Sequence, residues 1–69
     1  MYSTSNGIFP DQQLLGQFRT FGDLGPAYKV LAPVRQIDDG DWLLRIQVIE
    51  TGEELDYRYT HALGDPKAN

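Results

Sequence analysis

The side chains of this chain that come in groups are carboxylates, and grouped carboxylates can hold a cation or pass a proton. Asp38, Asp39 and Asp41 surround Gly40. In an EF-hand loop the glycine is the sixth position, which would make Arg35 the first ligand and set Ile46 near the last. Neither side chain binds calcium, so no metal site is expected there. Aspartate belongs at turns for another reason: its carboxylate accepts hydrogen bonds from nearby backbone amides. Glu50, Glu53, Glu54 and Asp56 form a second group. General acid–base work needs one carboxyl buried and raised in pKa, whereas Glu50 and Glu53 fall at a hairpin tip in water. They read as a solvated edge that discourages strand-to-strand aggregation.

His61 is the one histidine, and there is no cysteine. Ser3 and Ser5 lie in the first few residues, and no G-x-S-x-G elbow supplies a nucleophile. Tyr28, Trp42, Tyr57 and Tyr59 have the composition of a cation cage or a base-stacking platform. Trp42, Tyr57 and Tyr59, however, share a strand face with Leu44 and Ile46, which makes them core. Tyr28 follows a Gly-Pro loop and is expected to be half buried. No catalytic, cofactor-binding or metal-ligating residue is expected, and the chain reads as no enzyme.

The composition sets the remaining bounds. Sixty-nine residues make one small domain near the lower limit for folding without a staple. A hydrophobic fraction of 41% at a net charge of −4 is too apolar for a disordered chain. The basic residues Arg19, Lys29, Arg35, Arg45, Arg58 and Lys67 are scattered, so no basic stripe marks a nucleic-acid footprint. No apolar run approaches the ~20 residues of a membrane helix. The opening MYSTSNGIFP lacks the basic and apolar regions of a signal peptide. A cytoplasmic protein without membrane, metal or cofactor is the expectation.

Three strands between Pro26 and Tyr59 follow from two turns. Asp38-Asp39-Gly40 suits a three-residue hairpin loop with Gly40 at the left-handed position. It predicts Ile37 opposite Asp41, then Val34 opposite Leu44, Ala32 opposite Ile46 and Val30 opposite Val48. The second turn, at Glu50–Glu53, predicts Val48 opposite Leu55, Ile46 opposite Tyr57 and Leu44 opposite Tyr59, with Arg45 facing Arg58. Both hairpins choose Trp42, Leu44, Ile46 and Val48 as the inner face. Thr60–Leu63 suits one helical turn before Gly64, stopped by Asp65-Pro66.

Residues 1–13 read as a flexible tail, docked at most through Ile8 and Phe9, residues 14–66 as the domain, and 67–69 as a frayed end. Leu14–Phe21 fits a helical stripe, yet Gly16 and the strand formers Phe18, Thr20 and Phe21 favour a short strand. The fold expected is mainly β: a small curved antiparallel sheet of three to five strands, SH3-like or a half-barrel, ending in a helical turn. The alternative is α+β, an N-terminal helix on a three-stranded sheet. Leu31, Ile37, Leu43 and Ile49 point outward on either arrangement. They are expected to be covered by the N-terminal segment or to meet a partner.

Several stretches carry a resemblance: Gly16–Gly22, Gly25–Leu31, Asp39–Trp42, Glu50–Glu54 and Asp65-Pro66, with Glu50–Tyr57 the most distinctive. On these the chain resembles an uncharacterised family of small bacterial proteins of unknown function. The resemblance implies a bacterial cytosolic origin and no activity. The function expected is a small non-enzymatic protein-interaction or regulatory domain, binding a protein partner or itself. The alternative is an acidic inhibitor or antitoxin-like protein covering a basic site.

Overall fold

In the computed structural model, which describes residues 8–68, four antiparallel strands form one open sheet in the order of the chain. They are β1 (Phe18–Thr20), β2 (Ala27–Gln36), β3 (Trp42–Val48) and β4 (Glu54–Arg58). A 3-10 turn, Gln12–Leu14, precedes β1, and one helix, α1 (Tyr59–Gly64), follows β4. The fold is mainly β with a short C-terminal helix. Among the described residues the N-terminal helix of the α+β alternative is absent: Gly16 takes φ 89° and the chain enters β1.

The first hairpin forms around its glycine as predicted. Gly40 takes φ 88°, its N–H donates to the Ile37 carbonyl at 2.9 Å, and Ile37 N–H donates to Asp41 O at 2.9 Å. Beyond Arg35–Leu43 the predicted register fails. Two irregularities in β2, between Val30 and Ala32 and between Pro33 and Arg35, leave Leu31 and Val34 without partners. Pro33 faces Leu44, Ala32 faces Arg45, Val30 faces Ile46 and Tyr28 faces Val48. The cause is Pro33, which has no N–H for the ladder and is tolerated in a sheet at such bulges. Val34, expected in the core, is 44% exposed, and Tyr28, expected half buried, takes the inner position with no exposed surface.

The second hairpin is a four-residue loop, but it starts at Ile49 instead of Glu50. Val48 N–H donates to Glu53 O at 2.8 Å, and Gly52, at φ 76°, donates to Val48 O at 2.8 Å. Ile46 therefore faces Leu55 and Leu44 faces Tyr57, two residues away from the predicted pairing. An even shift keeps every side chain on its face, which is why the inner face survives the error. The shift also replaces the repulsive Arg45–Arg58 rung by Arg45 opposite Asp56, with Nε 3.0 Å from Oδ1. Opposite charges across a rung stabilise a sheet and like charges oppose it, which favours the observed pairing.

Trp42, Leu44, Ile46 and Val48 are all buried on the inner face, as expected. Phe9 and Leu14 join them, so the part of the N-terminal segment from residue 8 on closes the inner face instead of the outer aliphatics. Phe9 stands edge-on to Trp42 and Tyr59, with ring centres 5.4 and 5.0 Å apart. Within residues 8–13 of the expected tail Phe9 is packed and Asp11 is half buried, while Ile8, Pro10, Gln12 and Gln13 are exposed; residues 1–7 lie outside the described residues. Tyr59, expected on the strand opposite Leu44, opens α1 and donates its hydroxyl to Asp11 at 3.0 Å.

α1 packs on β3 and β4, and the residues after it return the chain to β1. Thr20 N–H donates to Pro66 O at 3.0 Å and Ala68 N–H to Phe18 O at 2.9 Å, with a bridge between Arg19 and Lys67. Lys67 and Ala68, expected to fray, are held because β1 is an edge strand with backbone groups to satisfy.

Candidate functional site

The polar side chains gather in three places, and two of them hold the fold together. The first is Asp41, buried at the end of the first hairpin. Its Oδ1 accepts from Trp42 N–H at 2.8 Å and Thr60 N–H at 3.3 Å, and its Oδ2 from the Thr60 hydroxyl at 2.7 Å. A carboxylate from another strand thereby satisfies a free amide in the first turn of α1. Burial pushes this carboxyl up. The hydrogen bonds from Thr60, Trp42 and Arg58 outweigh that and hold it below its ordinary value. Arg58 Nη1 lies 2.7 Å from Asp39 and 3.4 Å from Asp41. The Arg58 hydrogen bond and Asp41 N–H, donating to Asp39 at 3.0 Å, keep the exposed Asp39 carboxyl low. The aspartates of the turn serve the turn and the helix.

The second place is Asp65, just past α1. Its Oδ2 accepts from the hydroxyls of Tyr28 and Tyr57, both at 2.8 Å, and its Oδ1 from Gly22 N–H at 3.1 Å. Beside it Arg19, 9% exposed, donates Nη1 to the carbonyls of Ala62 at 3.1 Å and Asp65 at 3.0 Å. A guanidinium closing the C-terminal carbonyls of a helix satisfies acceptors that have no partner within the helix. Burial first, then the hydrogen bond to Asp65, pushes the Tyr28 hydroxyl far above its ordinary range and that of Tyr57 to about 12. Both tyrosines stay neutral donors at any physiological pH. Aromatic contacts lock them: Phe21, Tyr28 and Tyr57 stack within 5.4 Å of one another. Tyr57 also meets His61 edge-on at 5.6 Å. Asp65 and Arg19 are the important residues that sequence reasoning missed. Asp65-Pro66 read as a helix stop, and nothing local announces that its carboxylate reaches back to Gly22 and Tyr28.

The third place is an open groove of about 580 Å³ floored by Trp42 and Tyr59, with Ile8 and Pro10 on one wall and Gln36, Asp39 and Arg58 on the other. Its carboxylates are already bound by Arg58 and Thr60. No three of the described His, Asp and Glu residues come together as a metal-binding group.

The outward aliphatics do not form one patch. Ile37 closes the first hairpin and Ile49 opens the second loop, at opposite ends of β3. Leu31 sits at a bulge, and Leu43 lies between Arg35 and Arg58. Leu31, Ile37 and Leu43 are half buried, while Ile49 is exposed. Arg45, paired with Asp56 at 3.0 Å and Glu54 at 3.9 Å, occupies the middle of that face. The acidic second group is solvent-exposed, as read from the sequence.

A different residue stands out at the Ile49 end of the sheet. Leu24, in the loop between β1 and β2, is 99% exposed. The loop is tied at both ends. Phe21 N–H donates to Pro26 O at 3.1 Å, the Thr20 hydroxyl to Gly22 O at 2.7 Å, and Gly22 N–H to Asp65. Gly25 is required at its place, because a Cβ there would overlap the Phe21 carbonyl. Ile49 N–H donates to Ala27 O at 3.0 Å, which sets the second loop beside this one.

No helix among the described residues is long and apolar enough to cross a membrane. An uncharacterized protein of Haemophilus influenzae is 38% identical over 53 residues, covering 77% of this chain and 84% of the relative. The chain also matches the family described as "Family of unknown function (DUF5397)" over residues 7–69. The match takes in the whole sheet, α1 and the strand-like C-terminal segment, and the chain belongs to this bacterial family of unknown function.

Proposed function

We propose that this protein is a small non-enzymatic protein-interaction domain that inserts Leu24 into an apolar socket on a partner. A lone exposed leucine is ordinary on a protein surface. What supports the reading is that this one is fully exposed on a loop fixed by three hydrogen bonds and an obligatory glycine. A side chain presented on ordered backbone loses little entropy on binding, so more of its buried area appears as affinity. Ile49, 48% exposed on the neighbouring loop, extends the same apolar tip. Leu31, Ile37 and Leu43 contribute less, being half buried. The carboxylates support the non-enzymatic part, since Asp39, Asp41 and Asp65 are committed to holding the fold. A cytoplasmic location belongs to the same reading on composition alone.

The acidic-inhibitor reading draws less support. Glu54 and Asp56 are paired with Arg45, and Asp39 and Asp41 with Arg58. The free carboxylates of the two hairpin tips sit at opposite ends of the sheet. The test is capture from bacterial lysate on immobilised wild type and Leu24→Ser, with melting temperatures of both. A protein retained by wild type and lost by the equally stable variant supports the contact. Identical capture on both, or none on either, overturns it.

A further inference from the structure

The two edges of the sheet are treated differently. β1 is covered by Pro66–Ala68, whereas no described strand pairs with the far side of β4. Which backbone groups are free follows from the ladder. Val48 N–H bonds to Glu53 O, so alternate β3 residues Ile46 and Leu44 bond to Leu55 and Tyr57. The N–H and C=O groups of Glu54 and Asp56 and the N–H of Arg58 therefore point away from the sheet, while the Arg58 carbonyl, at the N-cap of α1, accepts the first bond of the helix. A row of unpaired backbone groups about 16 Å long is a template for another strand.

The side chains along the row say which strand. Placed antiparallel to itself about Asp56, the sequence Glu54-Leu55-Asp56-Tyr57-Arg58 sets Glu54 opposite Arg58 twice and Leu55 opposite Tyr57 twice. The first pairs are opposite charges on the outer face, and the second are half-buried apolar groups on the inner face. The one unfavourable rung is Asp56 against itself, and each Asp56 is already bonded to its own Arg45 at 3.0 Å. We infer that a second copy of this chain occupies the β4 edge, joining two four-stranded sheets across a twofold axis at Asp56. The Leu24 loop lies at the opposite edge, so this contact does not depend on the partner-binding reading.

The Asp56 rung gives two backbone hydrogen bonds and each Glu54–Arg58 rung one, about four in all. The contact is smaller than the ~800 Å² per partner of a standard interface, so a dissociation constant on the order of 10–100 μM is expected. The test is sedimentation equilibrium over a concentration series, with amide hydrogen exchange at low and high concentration. Wild type and Leu24→Ser are expected to dimerise alike. Glu54→Arg and Arg58→Glu each set like charges on two rungs and are expected to weaken the dimer, while the double exchange restores it. Asp56→Asn removes the one repulsive rung and is expected to tighten the dimer about two- to fivefold. Arg58 also pairs with Asp39, so exchange on the unmutated protein supplies the second arm. The amides of Asp56 and Arg58 should gain protection as concentration rises. A monomer at millimolar concentration, unprotected amides at these two residues, or a double exchange that fails to restore what the single changes lose overturns the inference.

Discussion

Replacing Asp65 with alanine removes the acceptor shared by Tyr28, Tyr57 and Gly22. The three donors do not lose equally. Tyr28 has no exposed surface, so its hydroxyl finds no water and bears the full cost of a buried orphan donor, about 1–3 kcal/mol. Tyr57 is half exposed and turns toward solvent at roughly 0.5–1 kcal/mol, and the exposed Gly22 amide rebonds to water for almost nothing. The total, roughly 2–4 kcal/mol, is a large fraction of what a domain of this size has to lose. At about 4–8 °C per kcal/mol it corresponds to a melting point lowered by roughly 8–32 °C. Asp65→Asn keeps one acceptor and loses the charge, so about half that shift is expected. Thermal unfolding by circular dichroism reads both variants. An ultraviolet alkaline titration gives a second readout: Tyr57, at about 12 in the wild type, should fall part of the way toward its ordinary 10 in Asp65→Asn, burial holding the rest. A raised folded value means the folded state holds its proton more tightly. Wild-type stability is therefore full below the unfolded value near 10 and is lost as pH climbs toward 12 and beyond, and Asp65→Asn should lose less of it over that span. An alanine variant melting within about 3 °C of wild type would refute the assignment of Asp65 as the clamp.

Phe9→Ala is expected to destabilise by about 3–5 kcal/mol, as for other buried phenylalanines. A denaturation midpoint close to wild type would show that the N-terminal segment is not core. Gly25→Ala drives a methyl group into the Phe21 carbonyl and should cost more than the ~1 kcal/mol of an ordinary glycine substitution, whereas Leu24→Ser beside it should be neutral. Urea midpoints of the two separate a strained loop from a soft one. Asp41 binds its proton less tightly in the folded than in the unfolded chain. Its contribution is therefore complete above the ordinary carboxylate value of 3.8 and disappears as pH falls through the lowered one. Asp41→Asn should lower stability at pH 7 and shrink the wild-type loss between pH 5 and pH 2, measured by urea titration at the three values.

The register shows how far local rules reach. Gly40 and the three-residue loop are local, and the pairing next to them, Arg35 with Leu43, is the one the turn dictates. Each residue farther along β2 inherits whatever the chain does in between, and Pro33 intervenes. A proline in a strand announces an irregularity, but it does not say how many residues will bulge. Here two do, Leu31 and Val34, so the whole of β2 beyond them slides and Val34 exchanges the core for solvent. On β4 the error was even and left no trace in burial. Only the charges distinguish the two registers, since one faces Arg45 with Arg58 and the other with Asp56.

The polar clamps were illegible for a related reason. An aspartate beside a turn glycine, an aspartate before a proline and an arginine between a phenylalanine and a threonine each have a sufficient local explanation. Their partners lie 19, 37 and 43 residues away, at Thr60, Tyr28 and Ala62. Those distances are closed by α1, which packs on β3 and β4, together with residues 65–68, which bring the chain to the β1 edge. A helix so short cannot satisfy its own ends, so the sheet supplies Asp41 at one end and Arg19 at the other. The buried charges thus follow from the crossing itself. Once the crossing exists, most of the carboxylates that looked like chemistry have structural partners, and the surfaces proposed for contact are those left open among the described residues, the edge of β4 and the anchored tip that carries Leu24.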